Sequence, residues 1–140
     1  MPTREQLAKL LQVPEFRRAF VDDYVQEMIA AQIRAMRERL ALSQEQVGAA
    51  AGGIKQEQVS RLENPDYSGT TVNSLKRVAQ AFDVGLIVRL APFSEFIDWI
   101  VNQTPDKLTP ANYAEEQEAT FEHLAYFLDL VGGAGYNISP

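Results

Sequence analysis

Cysteine is absent from the 140 residues, and a single histidine, His123, is present. Disulfides and thiolate metal sites are therefore excluded, and one imidazole cannot supply the usual zinc ligand sets, so no metal and no cofactor is expected. Long apolar runs are missing as well. Gly85 to Leu90 is too short to cross a bilayer and contains Arg89, so no membrane partner is expected. The opening residues Met1-Pro2-Thr3-Arg4-Glu5-Gln6 lack the apolar centre of a signal peptide, which makes a cytoplasmic location the expectation. No nucleophile–base pairing stands out, and Gly132-Gly133-Ala134-Gly135 lacks the lysine and following helix of a phosphate loop. The chain is not expected to be an enzyme.

Positive charge is also scarce: 13 basic residues face 19 acidic ones, for a net charge of −6. Summed this way, the charge disfavours nucleic acid, but its location matters more than its total. Residues 1–31 are nearly balanced, residues 32–90 carry eight basic and six acidic side chains, and residues 91–140 carry one basic residue and eight acidic ones. The acidity sits at the C-terminal end and the middle is mildly positive. Glu115, Glu116, Glu118 and Glu122 fall in the first turns of a helix, where its dipole favours negative charge, and read as a solvated acidic face.

Helix signals run along most of the chain. Thr3 with Gln6 makes a capping box for a helix over Arg4–Leu11, and Pro14 suits the first position of the next. From Glu15 to about Leu40, apolar residues recur every three or four positions in one long amphipathic helix. Ser43 caps a short helix ended by Gly52-Gly53, and a second short helix runs from about Lys55 to Glu63 before Asn64-Pro65. Thr71 caps a helix with Val72, Leu75, Val78, Ala79 and Phe82 on one side. Gly85–Leu90, β-branched in its middle and bounded by Gly85 and Pro92, reads as a strand. Ser94 then caps one helix, and Thr109-Pro110 starts a last one.

Two short helices joined by a glycine turn suit the DNA major groove, which admits one helix. The second can present its N-terminal end to base edges, while the first aims its N-terminus at a phosphate. Ile54, Val59 and Leu62 share the buried side of the second helix, leaving Lys55, Gln56, Glu57, Ser60 and Arg61 outward. Glutamine matches the adenine edge, arginine matches guanine, and glutamate accepts from cytosine. Gln44, just past the Ser43 cap, is placed to bond a phosphate. Arg34, Arg37 and Arg39, like Lys76 and Arg77, are either a solvated face or further phosphate contacts.

Leu42-Ser43-Gln44-Glu45-Gln46-Val47, Gly53-Ile54-Lys55-Gln56 and Val59-Ser60-Arg61-Leu62-Glu63-Asn64 together resemble the Cro/C1-type (XRE-like) helix-turn-helix family, over about Gln32 to Val88. Between Val47 and Gly53 the chain is one residue longer than the common family spacing, with Ala49-Ala50-Ala51-Gly52-Gly53 absorbing the extra position. The resemblance implies a mainly α protein with a phage-repressor-like five-helix domain that reads double-stranded DNA as a homodimer. It implies base contacts from Gln56, Glu57 and Arg61, joined by Ser60 from the outward face, and backbone contacts from Gln44, Lys55 and Asn64. Ser43 and Lys76 are further candidates for the backbone.

The expected organisation is an N-terminal helical extension (1–23), the DNA-binding domain (24–84), a strand-helix dimerisation segment (85–102) and an acidic C-terminal helix and tail (103–140). A lone strand leaves backbone groups unpaired, and the simplest cover is the same strand of a second copy, antiparallel across a two-fold axis. Leu86, Ile87, Val88 and Leu90, with Phe93 and Trp99, are the expected dimer contacts. The leading expectation is a sequence-specific transcriptional regulator, a repressor on a palindromic operator. The alternative is an antitoxin, whose acidic C-terminal region neutralises a basic toxin protein while the same chain represses its own operon.

Overall fold

The computed structural model describes residues 2–132. They form seven α-helices and one 3-10 turn: α1 (Arg4–Leu10), α2 (Pro14–Arg39), α3 (Gln44–Ala50), α4 (Gln56–Leu62), α5 (Val72–Phe82), α6 (Phe93–Val101), the 3-10 turn Pro105–Leu108, and α7 (Tyr113–Gly132). The chain divides into two compact units, 1–110 and 111–140. Among the described residues, no helix is long and apolar enough to cross a membrane.

Local chemistry sets the helix ends. The Thr3 hydroxyl accepts from the Gln6 backbone N–H at 3.2 Å while the Gln6 side chain accepts from the Thr3 N–H at 2.9 Å, a reciprocal cap for α1. Pro14 opens α2, where its missing N–H costs nothing. At the other end of α2 the chain turns through Ala41, φ 55°, and Leu42 N–H donates to the Arg37 carbonyl at 3.0 Å. This places α3 directly after α2 with the last carbonyls satisfied.

Unit 1 holds two apolar clusters. In the first, Ile33 and Met36 from α2 pack with Val47 of α3, Val59 and Leu62 of α4, and Val78 and Phe82 of α5. The core around the two short helices is thus built by four helices, where five were expected. The helix that follows, α6, packs elsewhere. Its Ile97 and Ile100 join Leu7 and Leu11 from the N-terminal segment in the second cluster, with Phe20 and Tyr24 of α2 against them. The Arg4–Asp98 ion pair ties α1 to α6. The N-terminal segment and α6 therefore share one core, and α2 runs through both clusters. Phe16, Phe20 and Tyr24, one helical turn apart, stack at 5.7 Å centroid spacing, and Tyr24 meets Trp99 edge-on at 5.6 Å.

The strand expected over Leu86–Leu90 is absent from the single chain: residues 84–92 are irregular. A strand exists only against a partner, and no described segment of this chain offers one. Ile87, Val88 and Leu90 are 88%, 63% and 100% exposed, an unusual state for three large aliphatics within four residues. Arg89 is occupied by an ion pair with Glu95. Phe93 and Trp99, the other expected dimer contacts, are about half exposed, each with one side against Phe96.

Two helix starts also differ from expectation. The helix expected to be capped by Ser94 begins two residues earlier, with Pro92 at the cap position. In unit 2, α7 begins at Tyr113 and not at Pro110. Asn112 caps it reciprocally with Glu115, at 2.9 Å and 3.2 Å. The tail from 133 onward and its glycines lie outside the described residues.

Candidate nucleic-acid interface

The α3–turn–α4 unit depends on a close approach of two backbones. Gly48, buried in α3, uses its carbonyl to accept from both the Gly53 and Ile54 N–H groups, each at 3.0 Å. A Cβ at residue 48 would stand 2.3 Å from the Ile54 carbonyl oxygen, so only glycine fits. Gly52 and Gly53 follow with φ of 87° and 86°, a backbone that side-chain-bearing residues rarely adopt. This left-handed pair turns the chain from α3 towards α4. Helix α4 then seats Val59 and Leu62, both fully buried, in the first cluster.

With that face buried, Gln56, Glu57, Ser60 and Arg61 are all exposed on α4, and Lys55 is exposed at its N-cap position. The structure brings the four candidate base-reading residues onto one open surface. Ser43 is the N-cap of α3: its hydroxyl accepts from Gln46 N–H at 3.1 Å, and the Gln46 side chain accepts from Ser43 N–H at 2.8 Å. The hydroxyl proton of Ser43 remains available to a phosphate. Asn64 holds Asp66 N–H on its side-chain oxygen at 3.0 Å, which leaves its amide N–H groups as donors.

Behind this surface lies a network that no local sequence pattern announces. The Glu63 carboxylate, 8% exposed, accepts from Arg37 Nε at 2.9 and 3.1 Å and from Arg37 Nη2 at 2.9 Å. Arg37 also donates to the Leu42 carbonyl at 3.1 Å. The hydrogen bonds with Glu63 raise the pKa of Arg37 above the ordinary arginine value, so the guanidinium stays charged. Arg37 is thereby removed from the candidate phosphate contacts. Gln44 Nε2 donates to the same carboxylate at 3.2 Å, and Gln44 Oε1 accepts from Gln56 Nε2 at 2.5 Å. An unbroken chain runs from a buried ion pair to the first side chain of the reading face.

That chain fixes the Gln56 amide. With one N–H held by Gln44, the remaining N–H and the Oε1 atom of this exposed side chain are left as one donor and one acceptor. This is the pair of groups that adenine N7 and N6 demand. Gln44 keeps one N–H for a phosphate. The residue separation of 26 between Arg37 and Glu63 explains why no local pattern announced the network.

Of the remaining cations, Arg34 lies 3.6 Å from Glu38, and Arg39 Nη2 donates to the Pro110 carbonyl at 3.0 Å. Lys76 is exposed in α5. Its neighbour Arg77 lines a cleft beside α4 together with Lys55 and Arg61.

A family model for helix-turn-helix domains matches residues 33–88. No match to the chain was found among curated proteins or among solved structures.

Proposed function

We propose that residues 33–88, which a helix-turn-helix family model matches, are the Cro/C1-type DNA-binding domain of a transcriptional regulator, and that the chain reads a specific operator as a homodimer and represses transcription from it. The observation that carries the reading is the open face of α4, where Gln56, Glu57, Ser60 and Arg61 stand exposed while the opposite face is fully buried. Gln56 reads adenine, Arg61 reads guanine, Glu57 accepts from cytosine and Ser60 serves either edge. Ser43, Gln44, Lys55, Asn64 and Lys76 hold the flanking phosphates. A cytoplasmic location accompanies this role.

Selection of bound sequences from random duplex DNA tests the proposal. The expected product is an inverted repeat with half-sites one helical turn apart, about 34–36 Å. Replacing Arg61 with alanine is expected to weaken binding to the selected site by about 1–3 kcal/mol and to relax a single base position. Equal affinity of the unmutated protein for selected and random duplexes rejects sequence-specific reading.

The exposed segment Leu86–Leu90 supports the dimer. Its apolar side chains and unpaired backbone suit pairing with a second copy, antiparallel about Val88, which would create the strand that the single chain lacks. Proline at 88 removes a ladder N–H without touching either apolar cluster, so Val88→Pro is expected to sediment as a folded monomer. A folded variant with an unchanged dimer mass removes the segment from the interface.

Toxin neutralisation is a second reading, favoured by the eight acidic and one basic residues from 91 onward. It is compatible with operator binding, since one chain can hold a basic protein and DNA through different surfaces.

A further inference from the structure

Gln56 is bound to Gln44 on the α3 side of α4. Two residues along a helix are separated by about 200° of rotation, so Gln58 lies on the opposite flank. On that flank a cleft of about 560 Å³ opens, lined by Lys55, Glu57, Gln58, Arg61 and Arg77 and by the end of the α3–α4 turn. Its three cations come from three places: the N-cap of α4, the last turn of α4, and α5. One carboxylate, Glu57, stands among them.

Four arginines elsewhere in the chain have a carboxylate beside them. Arg4 holds Asp98, Arg34 lies beside Glu38, Arg37 holds Glu63 and Arg89 holds Glu95. Among the described residues, Lys55, Arg61 and Arg77 make no ion pair. In a chain of net charge −6, such a gathering of unneutralised positive charge at one cleft marks a place for an anion.

The dimensions of DNA say which anion. An α-helix with side chains is about 10–12 Å across, and the major groove is about 12 Å wide. A helix seated there fills the groove from wall to wall, and each flank meets the phosphates of a different strand. Gln44 and Ser43 serve the α3 flank. We propose that the α4–α5 cleft is the site for a backbone phosphate of the second strand, held by Lys55 and Arg77, with Arg61 spanning between that phosphate and the bases. This rests on the reading of α4 as the groove helix. Arg77 is the diagnostic residue because it lies off α4 and carries no sequence information, while its guanidinium fork can engage two phosphate oxygens.

The test is the salt dependence of binding to a random-sequence duplex and to the selected operator. Arg77→Gln is expected to lower affinity for both duplexes by the same factor and to make the slope of log affinity against log salt shallower by about 1. Arg77→Lys is expected to keep the slope, and Lys9→Gln, an exposed charge on α1, to leave it unchanged. An unaltered slope for Arg77→Gln overturns the proposal while leaving DNA reading by α4 intact. An unaltered slope joined to saturable binding of inorganic phosphate that Arg77→Gln abolishes assigns the cleft to a free phosphorylated ligand. Absence of any duplex binding by the unmutated protein removes the groove assignment and this proposal together.

Discussion

Replacing Glu63 with alanine is expected to lower folding stability by about 3–5 kcal/mol, the range for removing one partner of a buried ion pair. Glu63 accepts three hydrogen bonds from Arg37 and one from Gln44 in a nearly solvent-free position. Without it, the guanidinium keeps only the Leu42 carbonyl as a hydrogen-bond partner, on a side chain that is just 17% exposed. Domains of this size are stable by about 5–15 kcal/mol, so the variant should unfold at markedly lower urea with an unchanged dependence on denaturant. The loss reflects an orphaned charge more than the net value of the pair. Replacing both partners with apolar residues, Arg37→Met with Glu63→Leu, is therefore expected to recover most of it. The two variants separate further in function. Both remove the acceptor that holds Gln44, and with it the support that orients the Gln56 amide. The double variant should be stable yet discriminate less at the base read by Gln56. Single-variant stability within about 1 kcal/mol of the parent would contradict the role given to this pair.

The caps of α1, α3 and α5, the proline that opens α2, and the two glycines between α3 and α4 were legible in the sequence because each is decided within four residues. The open face of α4 was legible for the same reason: Val59 and Leu62 fix the buried side, and helical geometry assigns the rest. What the sequence withheld was long-range. Leu7 and Leu11 meet Ile97 and Ile100 across some ninety residues, so the N-terminal segment looked like an appendage when it shares a core with α6. Arg37 looked like one of three equivalent surface cations until Glu63 came into reach. The segment after α5 has the composition of a strand, but composition states only a preference, and the single chain supplies nothing for it to pair with. At α7, Thr109-Pro110 offered a plausible start, yet the reciprocal Asn112–Glu115 cap three residues later satisfies more backbone groups.

Gly48→Ala is expected to destabilise the domain by about 3 kcal/mol or more, at the upper end for overpacking, and Gly48→Val by more still. The sign is the informative part. In an exposed helix interior, alanine is better than glycine by about 1 kcal/mol, so propensity alone forecasts a gain. Here the new Cβ meets the Ile54 carbonyl oxygen at 2.3 Å, and that atom belongs to backbone. It cannot swing aside as a side-chain tip would, because the Ile54 N–H is bound to the Gly48 carbonyl and Ile54 packs against the first cluster. Relief requires α3 and α4 to move apart, which breaks the two hydrogen bonds to the Gly48 carbonyl and withdraws Val59 from contact with α3. Gly52 and Gly53 provide the internal comparison. A Cβ at either meets nothing within 4 Å, so alanine there faces only the strain of a left-handed backbone, about 1–2 kcal/mol. Operator affinity should fall with Gly48→Ala even where the protein remains folded, since the angle between α3 and α4 sets how Gln44 and Gln56 face one DNA strand together. Thermal melts of the three alanine variants decide the matter: a Gly48→Ala protein as stable as its parent would mean that the two helices do not approach as closely as this geometry requires.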